Sequence, residues 1–160
     1  MEALVVVESW FGNTLTIAES VAEGIIDGGG RARVVKVEDA EVQIPDDVDL
    51  LIIGAPTHIR GLSTSQTRQE ASSGRGGPGV REWIETVELR EGLRLALFDT
   101  AASMRWLAGS AAKAAARKLT RREPHLSAEI KSFVITGKEG PLKDGETQAA
   151  HQWGQSLASS

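Results

Sequence analysis

Short apolar runs alternate along this chain with stretches in which apolar residues recur every three or four positions. Unbroken runs rich in β-branched and aliphatic residues suit strands buried on both faces, and they lie at 3–7, 33–37, 50–54, 93–98 and 132–136. The three-to-four spacing is typical of a helix with one buried face, and it predicts helices over 14–26, 78–87, 107–119 and 146–157. Trp83 falls on the buried face of the second of these helices and is predicted to be a core residue.

Five strands that alternate with helices predict an α/β fold. The expected architecture is a three-layer, doubly wound, five-stranded parallel sheet with strand order 2-1-3-4-5. In that order the first helix, closed by the glycine turn at 28–30, forms a right-handed crossover between neighbouring strands. Ligands of such sheets bind outside the carboxyl ends of the strands, where the strand order reverses.

Three segments are predicted to leave the sheet at that edge, namely 8–14, 55–61 and 99–106. All three contain more polar or aromatic side chains than a simple connection requires. The second of them opens a long irregular segment, 55–78, and such segments in small domains are often functional. Their convergence is the main argument for a ligand site.

The first segment, Ser9-Trp10-Phe11-Gly12-Asn13-Thr14, ends at the start of a predicted helix. The unpaired N–H groups and positive dipole end of a helix N-terminus attract a phosphate. The same residue types also favour helix starts with no ligand, so an ordinary cap is the alternative. The segment contains neither GxGxxG nor GxxxxGK[ST], which argues against a dinucleotide loop of that type and against a P-loop.

This hydroxyl-bearing run into Gly-Asn-Thr resembles the FMN-phosphate loop of flavodoxins, and the order of the later segments, including DLLIIGAPTH, resembles that family from end to end. The resemblance implies that 9–14 hold the phosphate and that 56–61 and 99–106 cover the two faces of the flavin ring. The implied FMN-binding residues are Ser9, Trp10, Phe11, Gly12, Asn13, Thr14, Pro56, Thr57, His58, Ile59, Arg60, Gly61, Asp99, Thr100, Ala101 and Trp106.

The chain departs from the flavodoxin pattern where the ring is expected. Flavodoxins commonly place a tyrosine against the outer ring face, and this chain contains no tyrosine. The candidates for stacking are Trp10, His58 and Trp106. Each has an alternative role: Trp106 as a cap on the core, His58 as a solvated loop residue and Trp10 as a lid over the phosphate.

Composition narrows the possible classes of protein. With 160 residues and 41% apolar content, the chain is expected to form one domain over 1–160. It has no cysteine and only three scattered histidines, so neither thiol chemistry nor a metal site is expected. No apolar run approaches a membrane span or signal peptide, and a cytoplasmic protein is expected.

Charge is distributed unevenly along the chain. Residues 1–54 hold eleven acidic and three basic side chains, whereas residues 105–122 hold six basic side chains and no acidic one. The basic helix 107–122 is either a docking surface for an acidic redox partner or simply a solvated face. No feature indicates binding to nucleic acid or a membrane, and a monomer or weak dimer is expected.

Three functions fit these observations. The first is an FMN-binding electron carrier of the flavodoxin type, in which the flavin supplies the redox chemistry and no side chain is catalytic. The second is an FMN-dependent NAD(P)H:quinone-type reductase, with Arg60, Arg68 and Arg75 as candidate contacts of the nucleotide. The third is a flavin-free protein-binding module. A receiver domain is excluded because Ala55, not aspartate, follows the third strand, and no GxSxG turn suggests a hydrolase.

Overall fold

A computed structural model describes residues 1–58, 61–71, 77–102 and 109–160. In chain order the strands and helices are β1 (Glu2–Val7), α1 (Asn13–Asp27), β2 (Arg31–Lys36), β3 (Leu50–Pro56), α2 (Ser65–Ala71), α3 (Val80–Thr86), β4 (Arg94–Ala102), α4 (Ala111–Arg122), β5 (Ala128–Ile135) and α5 (Glu146–Ala158). A 3-10 turn, Val37–Asp39, follows β2.

The five strands form one parallel sheet in the order β2-β1-β3-β4-β5. One face of the sheet packs against α1 and α5 through a core that includes Ile17 and Trp153. The other face packs against α3 and α4 through a second core that includes Trp83 and Leu119. The predicted doubly wound architecture and strand order are therefore confirmed. So is the burial of Trp83, which is 5% exposed.

The strands differ from their predicted bounds mainly at the edges and at the carboxyl ends. β4 continues to Ala102 because Asp99 and Thr100 pair with β3 on one side and with β5 on the other. The prediction that a loop begins at residue 99 is thus wrong, because residues 99–102 belong to β4. β5 begins at Ala128, four residues before its predicted start, and its first half is largely exposed.

Two helices begin later than predicted, and one was not predicted. Within the described residues α4 begins at Ala111, where the Ser110 hydroxyl accepts a hydrogen bond from the Lys113 N–H at 3.1 Å. α3 begins at Val80, two residues after Pro78. The missed helix, α2, lies within the segment predicted to be irregular.

Helices α1 and α5 approach each other so closely that glycine is required at their contact. A Cβ added to Gly24 would lie 2.0 Å from the carbonyl oxygen of His151, and one added to Gly154 would lie 2.2 Å from that of Val21. The backbones therefore meet directly. Because β1 leads into α1, this contact also fixes the axis of the helix that begins at the candidate site.

No helix in the described ranges is both long and apolar enough to cross a lipid bilayer.

Candidate functional site

A cavity of about 410 Å³ opens at the carboxyl edge of the sheet, beside the ends of β1, β3 and β4. This is the switch point of the sheet, where the chain leaves the neighbouring strands β1 and β3 towards opposite edges. Its described lining residues come from five parts of the chain: Trp10, Phe11, Asn13 and Thr14; Pro56, Thr57 and His58; Thr67, Glu70 and Ala71; Thr100; and Ile135, Lys138 and Glu139.

The structure brings together half of the residues predicted to bind a cofactor. Eight of them line the cavity: Trp10, Phe11, Asn13, Thr14, Pro56, Thr57, His58 and Thr100. Five others lie around it without lining it: Ser9, Gly12, Gly61, Asp99 and Ala101. The predictions for Ile59, Arg60 and Trp106 fall outside the described residues.

The N-terminus of α1 presents free backbone donors to this cavity. Among the described residues, nothing accepts a hydrogen bond from the N–H groups of 11–14. The next one, Leu15 N–H, donates to the Ser9 hydroxyl at 3.2 Å. Gly12 adopts a φ of +90°, which favours glycine and turns the chain into the helix. Since the first turn of α1 contains no acidic residue, the positive end of the helix dipole is uncompensated.

Hydroxyl and amide groups hold this helix start against the neighbouring segments. The hydroxyls of Thr14 and Thr100 are hydrogen-bonded at 2.8 Å in the interior, which joins α1 to β4. The side-chain amide of Asn13 donates to the carbonyl of Glu139 at 2.8 Å, which joins α1 to the turn after β5. These contacts fix the donor groups relative to the sheet.

Two aromatic side chains from different segments meet at the cavity. The rings of Trp10 and His58 have centroids 5.1 Å apart and planes tilted by 56°. Phe11 is 46% exposed, unusual for so large an apolar side chain. His58 forms an antiparallel bridge with Gly61, and the two residues exchange both backbone hydrogen bonds. The cavity therefore offers aromatic surface to a flat apolar ligand.

Asp99 faces away from the cavity. Its carboxylate is fully buried and its Oδ2 accepts hydrogen bonds from the hydroxyls of Thr57 and Ser110, at 3.0 and 2.5 Å, and from the N–H of Ala112 at 3.1 Å. A carboxylate at a helix N-terminus is stabilised by the helix dipole. Asp99 therefore anchors the start of α4 to β4 and orients Thr57.

Beside the cavity wall lies a polar cluster formed by the buried side chains of Glu8, Ser63 and Arg68 and by the partly exposed Glu82. The guanidinium of Arg68 is 6% exposed and donates to the Ser63 hydroxyl at 2.8 Å and to Glu82 at 2.8 Å. Burial alone raises the pKa of Glu82, but hydrogen bonds from Arg68 and from the Gly79 N–H outweigh it, and the net pKa lies below the usual value. Because Arg68 is committed to this cluster, it is not available to contact a nucleotide, which corrects that part of the reductase hypothesis.

Sequence reasoning missed two groups of cavity-lining residues. Thr67, Glu70 and Ala71 belong to α2, a helix without an apolar stripe. Ile135, Lys138 and Glu139 follow from the end of β5, whose register only the structure supplies. No group of three histidine or acidic side chains within the described residues could hold a metal ion.

A five-stranded doubly wound sheet with a cavity at its switch point defines a class of ligand-binding α/β proteins. Within that class, the sequence profile described as Flavodoxin matches residues 5–153. The chain therefore belongs to the flavodoxin family, whose members bind a flavin and transfer electrons to redox partner proteins. Comparison with curated protein sequences gives no match.

Solved structures agree with this assignment at the level of the fold. Oxidised flavodoxin 1 from Bacillus cereus is 20% identical, with a TM-score of 0.69 and coverage of 99% of this chain and 98% of the other. A flavodoxin from the domain Archaea is 18% identical, with a TM-score of 0.68 and coverage of 99% and 97%. The rubredoxin oxygen:oxidoreductase from Desulfovibrio gigas, 16% identical with a TM-score of 0.68, matches 99% of this chain over 35% of its own length.

Proposed function

We propose that this protein binds FMN in the cavity at the carboxyl edge of the sheet and carries electrons between redox partner proteins. The observation that carries the proposal is the presence of free N–H groups at the start of α1 and the Trp10–His58 pair in one cavity. The first feature suits a phosphate and the second suits a planar ring.

The residues present fit FMN in size and in chemistry. A volume of about 410 Å³ falls within the range of small-molecule sites, which is roughly 300–1,000 Å³. The open space around Gly12, where an added Cβ would touch nothing within 4 Å, leaves room for a close approach to the backbone. Charged side chains on the described lining are limited to Glu70, Lys138 and Glu139, so the remaining wall is neutral.

Bound FMN would supply the redox chemistry, and the chain's own residues would bind and orient it. The N–H groups of 11–14 would hold the phosphate without a charged side chain. Trp10 and His58 would cover apolar ring surface and exclude water from it. Thr57, whose hydroxyl donates to Asp99, would hold the segment after β3 in the cavity wall.

A comparison of FMN with riboflavin tests the phosphate end of this site. We expect the apoprotein to bind FMN much more tightly than riboflavin, as followed by quenching of flavin fluorescence. Asn13→Asp places a negative charge at the first residue of α1 and removes the donor to the Glu139 carbonyl, so it should weaken FMN about tenfold more than it weakens riboflavin.

Gln148→Glu is the matched control, because it makes the same charge change in the exposed first turn of α5, away from the cavity lining. It should leave both affinities unchanged. Equal and weak binding of FMN and riboflavin by the unmodified protein would contradict the proposal, and a flavin-free binding module would then explain the fold.

The partner side of the proposal concerns the exposed face of α4. Lys113, Arg117 and Arg121 lie four residues apart on one side of this helix, and we call them the basic stripe. Among the described residues, nothing pairs with their side chains. In contrast, Lys118 forms an ion pair with Glu85 at 2.5 Å, and Arg122 donates to the carbonyls of Ile84 and Val87.

The basic stripe begins beside the cavity, because the Ala111 N–H donates to the hydroxyl of Thr57 at 3.0 Å and Thr57 lines the cavity. A positive surface next to a redox centre attracts an anionic reaction partner and raises its association rate. We therefore propose that the redox partner presents an acidic surface to α4.

Small inorganic oxidants of opposite charge test the basic stripe without an identified partner. Ferricyanide is an anionic oxidant. At low salt it should oxidise the reduced, FMN-loaded unmodified protein about tenfold faster than it oxidises the double variant Lys113→Glu/Arg117→Glu. The reaction with cationic hexaammineruthenium(III) should change in the opposite direction. Both differences should shrink as ionic strength rises.

Arg33→Glu/Lys131→Glu makes the same change in net charge on exposed mid-strand positions of β2 and β5, and it serves as the control. If this control altered the two reaction rates as much as the α4 variant does, the rates would depend on net charge alone. The position of the basic stripe beside the cavity would then have no effect, and the proposal would be wrong.

A further inference from the structure

Glu8, the residue that follows β1, has a buried carboxylate surrounded by donors. It is 4% exposed. Its Oε1 accepts hydrogen bonds from the Ser63 hydroxyl and from the indole Nε1–H of Trp10, the latter at 3.1 Å. Its Oε2 accepts one from the Val80 N–H at 2.8 Å. Three separate segments of the chain thus converge on one carboxylate.

The surroundings of Glu8 are built for an anion. A buried carboxylate is very costly unless it is hydrogen-bonded and faces positive charge. The Cβ position of Gly79 lies 2.6 Å from the Glu8 Oε2 and 2.5 Å from the Arg68 Nη1, so the carboxylate and the guanidinium are close neighbours. Glycine at 79 leaves the space that both groups occupy.

One of the three groups that Glu8 holds lies in the cavity wall. Trp10 lines the cavity and contacts His58, and its indole N–H donates a hydrogen bond to the carboxylate of Glu8. The other two, Ser63 and Val80, belong to the segments that flank α2 and begin α3. A change at Glu8 would therefore be transmitted to the aromatic wall and to α2, which also contributes to the lining.

We propose that Glu8 is a positioning residue of the flavin site: it sets the orientation of Trp10 against the ring and does not touch the ligand. This inference rests on the proposed FMN function. Its effect on ligand affinity can be told apart from that of the phosphate end. Glu8 acts on the ring, which FMN and riboflavin share, whereas the α1 N-terminus acts on the phosphate, which only FMN carries.

The test variant is Glu8→Gln. Glutamine has the shape of glutamate but only one acceptor oxygen, so it cannot accept from Trp10, Ser63 and the Val80 N–H in the observed arrangement. We expect Glu8→Gln to weaken FMN and riboflavin by the same factor, about tenfold. Asn13→Asp, in contrast, should weaken FMN more than riboflavin.

A readout on the apoprotein separates this inference from the proposed function. In the ¹H–¹⁵N spectrum the indole N–H signal of Trp10 is assigned by its loss in Trp10→Phe. We expect Glu8→Gln to shift this signal and to speed exchange of its proton with solvent by about tenfold or more, because the neutral amide is a weaker acceptor than the carboxylate and its one oxygen cannot serve all three donors. This holds whether or not the protein binds FMN.

Glu129→Gln is the matched control, because Glu129 accepts a hydrogen bond from the indole of Trp153 outside the cavity lining. It should change the Trp153 signal and leave the Trp10 signal and both flavin affinities unchanged. If the unmodified protein does not bind FMN but its Trp10 indole proton is protected from exchange with solvent, the proposed function is overturned. The placement of Trp10 by Glu8 is then retained.

Should Glu8→Gln prove too unstable to study, Trp10→Phe supplies a second test, because it keeps an aromatic ring but removes the donor to Glu8. It should also weaken FMN and riboflavin equally. Where Glu8→Gln is stable enough to measure, adding it to Trp10→Phe should cause a smaller loss of ring affinity than Glu8→Gln causes alone. Fully additive losses, or an unchanged Trp10 indole in Glu8→Gln, would overturn the positioning role.

Discussion

Replacing Gly24 by alanine is expected to lower the free energy of unfolding by about 3 kcal/mol. In an exposed helix the same change would stabilise the protein by roughly 1 kcal/mol, because alanine is the better helix former. The sign reverses here because the new Cβ would lie 2.0 Å from the carbonyl oxygen of His151 and 2.8 Å from its carbonyl carbon. A backbone carbonyl in the middle of α5 cannot rotate away, so the two helices must separate.

Denaturant unfolding of the variant measures this effect. Glu23→Ala is the appropriate control, because it lies one residue away on the exposed side of α1 and should change stability by no more than about 0.5 kcal/mol. A Gly24→Ala protein as stable as the unmodified one would mean that α1 and α5 are not in direct backbone contact.

The central strands and the sheet order could be predicted from the sequence because burial on both faces leaves an unmistakable apolar run. β1 and β3 are such strands, and their observed bounds contain the predicted ones. Edge strands carry a weaker signal. In β5 the residues Glu129, Ile130 and Lys131 are all exposed, so the run of apolar residues begins only at its second half.

The helix α2 could not be found from apolar periodicity because its one buried residue is Arg68. A weaker signal was present. Thr64 and Thr67 cap the helix reciprocally, each hydroxyl accepting from the other's backbone N–H at 3.3 and 2.9 Å, and good helix formers follow them. Charge pairing with Glu82, which apolar periodicity does not reveal, holds the buried Arg68 of this polar helix in place.

The outcome for the candidate site follows from where β4 ends. Successive side chains of a strand point to opposite faces, so extending β4 to Ala102 sends Thr100 towards α1 and its neighbour Asp99 towards α4. The sequence placed both residues in a loop, where no such alternation applies. The aromatic contact between Trp10 and His58 was also beyond prediction, although both had been singled out as stacking candidates.

The second large effect is expected for Arg68→Met, which should lower the free energy of unfolding by about 3 kcal/mol or more. Methionine fills a similar volume but carries no charge and no donors. The change would leave the carbonyl of Gly77, the hydroxyl of Ser63 and the carboxylate of Glu82 without the guanidinium that now binds them. It would also remove a positive charge that lies beside the buried carboxylate of Glu8.

The same variant should weaken FMN, because α2 loses its anchor and three of its residues line the cavity. Arg68→Lys restores the charge but not the planar fork of donors, so it should recover only part of the stability.

Arg81→Met is the control. Arg81 also donates to this segment, at the carbonyls of Leu62 and Ser63, but it is half-buried and lies outside the cluster. Its loss should lower the free energy of unfolding by about 1 kcal/mol. Equal losses in Arg68→Met and Arg81→Met would show that the buried charge has no role of its own. A larger loss for Arg68→Met would mean that its buried guanidinium holds together the cluster around Glu8, on which the aromatic wall of the cavity depends.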